Sequence, residues 1–232
     1  MLKNIFKNLI EWLFPFYCLG CQKEGFSVCN TCLATIKLYP DNIQCCYCGQ
    51  ASRWGLSCLG CGPLDGLWAI FEYQKGQLLS EILHNWKYNQ IEEFWLAFRD
   101  RAVLPADFKQ WLEINFQAVT WIPLSTSKLK LRGFNQSEVI TKQLGLNLKS
   151  GPFLSKAVNT KAQMSLSRRE RLINLKDVFQ ATERNAGHAI IIVDDISTTK
   201  ATLEEACRAL KAAGWSKVYG LVVARQAASD RV

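Results

Sequence analysis

Ile190-Ile191-Ile192-Val193-Asp194-Asp195-Ile196-Ser197-Thr198-Thr199-Lys200-Ala201-Thr202-Leu203 is the stretch on which the reading of this 232-residue chain turns. Ile190 to Val193 form an unbroken β-branched run, which reads as a buried strand of a parallel sheet. The run leads straight into two carboxylates, then a hydroxyl-rich turn from Ser197 to Thr202, then a helix. In open α/β sheets ligands gather beyond the carboxyl ends of strands, and a helix N-terminus offers free N–H groups and positive potential to a phosphate. Adjacent carboxylates suit cis-diol hydroxyls or a hydrated magnesium ion, and Thr198, Thr199 and Thr202 can donate to phosphate oxygens. A ribose 5-phosphate fits that combination. The plainer alternative is an ordinary strand-to-helix turn with two exposed aspartates; against it, the whole string fits and not the acidic pair alone.

The string closely resembles the phosphoribosyl-pyrophosphate (PRPP) motif of the type I phosphoribosyltransferases: apolar strand, two acidic residues, two variable positions, then a threonine- and glycine-rich phosphate loop. The resemblance implies that Asp194, Asp195, Ser197, Thr198, Thr199, Lys200, Ala201 and Thr202 bind PRPP together with Mg²⁺. Lys200 stands where that family usually has glycine, at a point where backbone amides approach the phosphate closely. A lysine there either covers the phosphate as a point charge or crowds the loop.

Composition narrows the setting. The chain is long enough for one large domain or a domain plus a small module, and its 49% hydrophobic content supplies a core. No run of about 18 uncharged apolar residues occurs, so no membrane-spanning helix is expected. The N-terminal stretch MLKNIFKNLIEWLFPFYC is interrupted by Glu11 and lacks a small-residue cleavage site, unlike a signal peptide. Leu2, Ile5, Phe6, Leu9, Ile10 and Leu13 share one helical face stopped by Pro15, which suits packing on the protein itself better than a membrane surface.

Nine of the ten cysteines precede residue 62. Closely spaced pairs favour metal binding in a reducing cytoplasm over disulfides, and the expected location is cytoplasmic, with the inner face of the membrane as an alternative. Four Cys-x-x-Cys pairs stand out: Cys18/Cys21, Cys29/Cys32, Cys45/Cys48 and Cys58/Cys61. Two intervening residues let both sulfurs face one ion while turn amides hydrogen-bond to them. Two tetrahedral Cys₄ zinc sites are the economical solution, and short loops favour joining the first two pairs and the last two, although a crossed grouping or a single occupied site also fits the spacing. With four protein ligands such zinc is structural. Redox-active thiols are the alternative, but redox motifs seldom come in fours. Cys46 is surplus, and Cys207 reads as a small core residue.

The formal charge is +8. Eight thiolates holding two Zn²⁺ would lower it to +4. Between Lys128 and Lys176 eleven Lys/Arg face only Glu138 and Glu170, a local balance of +9 that attracts polyanions.

A Gly/Pro-rich junction at 62–66 sets the expected domain boundary: residues 1–65 as an N-terminal helix plus double zinc-ribbon module, and 66–232 as a phosphoribosyltransferase-like domain. Beyond it, Leu67–Tyr73 alternates like a strand, Gly76–Lys87 has helical spacing, and a second helix carries Phe94, Trp95, Leu96 and Phe98. Ala118–Pro123 reads as a strand feeding a polar loop, Leu124 to Lys130, and then Arg132-Gly133-Phe134-Asn135-Gln136. Gly133 permits a tight turn, and Asn135 starts a helix running to Leu144. A helix from Ala201 to Ala213, stopped at Gly214, and a strand from Lys217 to Ala224 close the chain. Alternating strands and helices imply an α/β fold with a mostly parallel sheet flanked by helices on both faces.

Arg132-Gly133-Phe134-Asn135-Gln136 after a strand ending in Pro123-Leu124 resembles the ComF/GntX family of competence-associated proteins. So does Thr160, Gln163, Leu166, Arg168, Arg171, Asn174 and Phe179, in the pattern T-x-x-Q-x-x-L-x-x-x-x-R-x-x-N-x-x-x-x-F. With the cysteine pairs before and the PRPP-like string after, the resemblance covers nearly the whole chain. It implies a phosphoribosyltransferase-type domain behind a zinc ribbon, taking part in DNA uptake during natural transformation, with DNA-uptake machinery as partner. Ser125, Lys128, Arg132 and Gly133 would form a pyrophosphate loop. Lys161, Arg168, Arg169 and Arg171 suit either a mobile flap over pyrophosphate or contact with single-stranded DNA. Two alternatives remain beside this reading: an active phosphoribosyltransferase of nucleotide metabolism, and a non-catalytic scaffold or PRPP sensor.

Overall fold

The structure is a computed structural model, and it describes residues 17–89, 92–156 and 178–226. Two compact units emerge, one built from residues 1–37 and 74–102, the other from 38–73 and 103–232, a division that cuts differently from a boundary at residue 65. The expected helix over 2–14 and the segment 157–177, including Lys161, Arg168, Arg169 and Arg171, lie outside the described residues.

In the first unit the knuckle at Cys18/Cys21 precedes α1 (Asn30–Ala34), which starts at Cys29 and carries Cys32, and two helices come from further along, α2 (Leu78–Tyr88) and α3 (Glu92–Arg99). Leu79, Ile82, Leu83 and Trp86 recur at helical spacing on α2 and are all buried. Trp86 stacks on Trp95 of α3 with centroids 4.3 Å apart and planes 11° from parallel. Gly20 lies so close to Cys32 that a Cβ there would meet its sulfur at 2.7 Å, with Leu78 at 3.4 Å, so the knuckle rests on the first turn of α2.

The second unit contains the sheet. Its strands are β1 (Gly66–Glu72), β2 (Ala118–Trp121), β3 (Lys149–Ser150), β6 (Ala189–Ser197) and β7 (Lys217–Arg225); β4 (Leu154–Lys156) and β5 (Phe179–Ala181) form a separate antiparallel pair. The sheet order is β1-β7-β6-β2-β3, parallel at every pairing. Ile190 to Val193 are completely buried in the middle, as a run without polar alternation requires in a sheet covered on both faces. On one face Phe108 and Trp111 of α4 (Ala106–Asn115) pack on Trp68 and Tyr219, Phe108 stacking on Trp68 at 4.0 Å. On the other, Leu203, Ala206, Cys207 and Leu210 of α7 (Ala201–Ala212) share a core with Ile190, Ile192, Val218 and Val222.

β6 does not stop at Val193. Asp194 pairs with Val222 and Ser197 with Arg225, so both acids are the last turns of the pleat rather than the start of a loop. The expected loop after β2 is a helix, α5 (Thr126–Arg132), capped by the Ser125 hydroxyl and ended by Gly133 in the left-handed region, φ 77°. Helix α6 (Gln136–Leu144) follows from Asn135, whose side chain accepts from the Ser137 N–H and donates to the Ile122 carbonyl.

The outer edge of β1 is covered by the segment before the second knuckle pair. The Tyr39 N–H donates to Ile70 O, and Asn42 grips both backbone groups of Ala69, at 2.6 and 2.9 Å. An edge strand is thereby denied to other chains. No helix among the described residues is long and apolar enough to cross a membrane.

Candidate functional site

The carboxyl end of β6, the turn after it and the first turn of α7 line a small, half-open concavity of about 40 Å³, bordered by Asp194 and residues 196–203. Of the residues expected to bind PRPP, Asp194, Ser197, Thr198, Thr199, Lys200, Ala201 and Thr202 are brought together here; Asp195 is not among the lining residues. Neighbouring residues of a strand leave it on opposite faces, which separates the two acids. Thr198 and Thr199 are exposed at the mouth, whereas Ser197 is buried and its hydroxyl has no partner among the described residues. A buried hydroxyl without a partner is uncommon and suits a ligand that supplies one. Helix α7 spans twelve residues, so its free N–H groups and dipole favour an anion at this end.

Asp194 is held from two sides. The Ser137 hydroxyl, in the first turn of α6, donates to Asp194 Oδ1 at 2.9 Å, and the Asp195 N–H donates to the same oxygen at 2.9 Å. Ser137 is buried, so the hydroxyl cannot turn away to water. Lys156, half-buried at the end of β4, faces the same region: burial and then the charge of Lys128 lower its pKa from 10.5, and the charge of Asp194 opposes them. Its ammonium also lies 5.8 Å from the centre of the Phe179 ring.

The expected pyrophosphate residues fall on the α5–α6 corner. Ser125 caps α5, Lys128 is exposed on its first turn, Gly133 ends it, and Arg132 is buried with its guanidinium donating to Gln136 Oε1 at 3.0 Å. Ser137 and Lys156 were not singled out by the sequence. The former is one serine of a helix start, and the latter reaches Asp194 only because residues 154–156 pair with 179–181.

Lys200 occupies the position before α7 with φ 64° and ψ −11°. A side chain in the left-handed region costs on the order of 1–2 kcal/mol, which glycine avoids. Although Lys200 borders the concavity, its ammonium is engaged elsewhere: it donates to the Cys46 carbonyl at 3.1 Å and sits 5.0 Å from the centre of the Tyr47 ring.

The cysteines assemble as two sets, Cys18/Cys21/Cys29/Cys32 and Cys45/Cys48/Cys58/Cys61, with the sulfurs of each set within 4.8 Å of one another. Cys21–Cys29 and Cys48–Cys58 sulfurs are 3.7 Å apart. Ligands at about 2.3 Å from zinc in a tetrahedron lie about 3.8 Å from one another, so the sets fit one ion each. Both follow one plan, with the Cys29 N–H donating to Cys18 sulfur at 3.2 Å and the Cys58 N–H to Cys45 sulfur at 3.3 Å. Burial opposes ionisation of Cys18 and Cys45, yet the turn amides outweigh it and bring both thiols down to about 6. Two Cys₄ groups able to hold structural zinc are thus in place. Cys46 belongs to neither; burial pushes its thiol up.

No family model matches the chain. It is 27% identical to Competence protein F of Haemophilus influenzae over 90% of this chain and 97% of that protein. It is 28% identical to DNA utilization protein YhgH of Escherichia coli over 84% of this chain and 91% of that one. Competence protein ComFC of Bacillus subtilis is 28% identical over 81% and 79%. These relatives, each matched over about four fifths or more of both chains, together with the two Cys₄ groups and the five-stranded parallel sheet, support a place for this chain in the ComF family.

Proposed function

We propose that this chain serves DNA uptake or utilisation and that its sheet carries a site for PRPP or another phosphorylated ribose. The DNA role rests on what the relatives are called. The ligand reading rests on the concavity that joins Asp194 to Ser197–Thr202 at the N-terminus of α7. In it the loop amides and the hydroxyls of Ser197, Thr198, Thr199 and Thr202 hold the 5-phosphate. Asp194, oriented by Ser137, takes the ribose hydroxyls or Mg²⁺, with Asp195 beside it on the strand. Magnesium would supply charge neutralisation for the pyrophosphate. Lys156 and Lys128 supply further positive charge near Asp194, and Ser125, Arg132 and Gly133 shape the corner beside it.

Calorimetry with PRPP and Mg²⁺ on wild type and on the Asp194→Asn/Asp195→Asn double variant tests the site. Binding to the wild type that the variant loses is the expected result; equal heats would remove the proposed site. Turnover is a separate question with its own readout. Pyrophosphate release across candidate bases would make the chain a phosphoribosyltransferase, and binding without release would make it a sensor or scaffold.

Contact with single-stranded DNA is proposed for the basic segment from Lys128 to Lys176, with Lys161, Arg168, Arg169 and Arg171 as its centre. Affinity for an oligonucleotide should fall as salt rises, because phosphate contacts release counterions. Charge reversal at Arg168, Arg169 and Arg171 should abolish it, and a salt-independent affinity would contradict the proposal.

A further inference from the structure

Both ends of the Ser197–Lys200 turn converge on a single carbonyl. Lys200, at one end, donates its ammonium to Cys46 O at 3.1 Å. Ser197, at the other, pairs in register with Arg225, whose guanidinium donates to the same oxygen at 3.3 Å and lies 5.1 Å from the Tyr39 ring centre. Cys46 stands between two residues of one Cys₄ group, Cys45 and Cys48. The turn that carries it is closed by Cys45 N–H to Gln50 O and Gly49 N–H to Cys45 O. The next residue, Tyr47, accepts the Leu64 N–H at 3.2 Å and packs so tightly on Gly62 that a Cβ there would meet its ring at 2.3 Å. Gly62 adjoins Cys61, a third member of the group.

We infer that Lys200 is a positioning residue that ties the phosphate loop to the second cysteine knuckle, so that metal held by Cys45, Cys48, Cys58 and Cys61 sets the shape of the loop. The inference rests on reading residues 197–202 as an anion loop. It accounts for a lysine kept in a conformation that favours glycine: the side chain holds a contact that glycine has no atoms to make. It also gives the surplus cysteine position a role through its backbone. The Cys46 carbonyl points at the two cations only while the Cys45–Cys48 turn is closed. Four sulfurs gathered within 4.8 Å hold that turn closed when they share an ion.

The test uses the zinc-loaded full chain, with amide exchange at 197–204 followed by mass spectrometry and zinc counted in each sample. Lys200→Met should speed exchange there about tenfold, equivalent to about 1.4 kcal/mol, while both zinc equivalents remain. Cys58→Ser should lose one equivalent and speed exchange at the same amides. Lys200→Gly relieves the backbone but cannot make the tether, so it should resemble Lys200→Met. Lys217→Met, which removes an exposed charge from the same unit, should leave exchange at the wild-type rate. The inference is overturned if Lys200→Met keeps wild-type protection at 197–204, or if Lys200→Gly protects the loop as well as wild type does. Because Lys200→Met retains all eight ligands, the answer does not depend on whether Cys58→Ser folds. PRPP with Mg²⁺ is then titrated into the same samples. If wild type fails to bind it, the ligand reading falls, and the exchange data still decide the tether.

Discussion

Removing the Ser137 hydroxyl should release Asp194 without opening the core. Ser137→Ala takes away one oxygen from a buried residue and leaves the Asn135 cap intact, since that bond uses the Ser137 backbone N–H. What disappears is the 2.9 Å bond to Asp194 Oδ1. Hydrogen bonds to charged groups contribute about 1.5–3 kcal/mol. Asp194 is half-buried and keeps the Asp195 N–H, which places the loss at the lower end. The expected destabilisation is about 1.5 kcal/mol, or a midpoint lowered by about 3–6 °C for a chain of this size. Urea unfolding of the zinc-loaded chain, followed by tryptophan fluorescence, measures it. The sharper measurement is a cycle with Asp194→Asn, because independent sites add to within about 0.3–0.5 kcal/mol. A coupling of about 1 kcal/mol or more is expected. Strict additivity would show that Ser137 does not orient Asp194, and the account of how α6 serves the site would fail with it.

Other consequences can be checked with equal directness. The folded chain should bind two zinc ions, and serine at any one of the eight paired cysteines should lower the count by one, as read by a chromogenic chelator; a retained count would break the Cys₄ assignment. Lys156→Met should weaken binding of Mg²⁺–PRPP about tenfold, the scale of one charge-assisted hydrogen bond, in isothermal titration. Burial and Lys128 depress the Lys156 pKa below 10.5, so its contribution is present at low pH and lost as pH rises through that lowered value, earlier than for an ordinary lysine. An unchanged affinity in Lys156→Met would remove it from the site. Gly66→Ala puts a Cβ 2.3 Å from the Tyr219 ring and should destabilise by about 1–3 kcal/mol in the same urea assay, while a neutral result would mean that β1 and β7 slide apart freely.

The parts of this molecule that the sequence made legible are those set by neighbours along the chain. β6 and α7 could be read because an apolar run, an acidic pair and a helix start are local signals, and the two Cys₄ groups because short loops limit the pairing. The helix start at Asn135 was legible for the same reason. Helix α5 was not: seven residues are too few to display a helical period, although its caps, Ser125 and Gly133, stood in plain view. The extension of β6 through Asp194 and Ser197 depends on β7 as a partner and leaves no mark on the residues themselves. Lys200 is the clearest case. Whether its side chain covers or crowds the loop was undecidable locally, because its partner lies 154 residues earlier in the chain. Lys156 escaped notice on the same ground.

The position of β1 at the sheet edge has a bearing on synthesis. Among the described residues its one neighbour in the sheet, β7, begins about 145 residues after β1 ends. At roughly 5–20 residues per second a ribosome needs about 7–30 s to produce that partner. Throughout this interval an apolar strand has one flank open, while the segment holding Tyr39 and Asn42, made earlier, is already available for the other flank. Early translation thus supplies β1 with a guard before its partner exists, and N-terminal truncation at residue 65 would remove the guard and leave the nascent strand to pair with strangers.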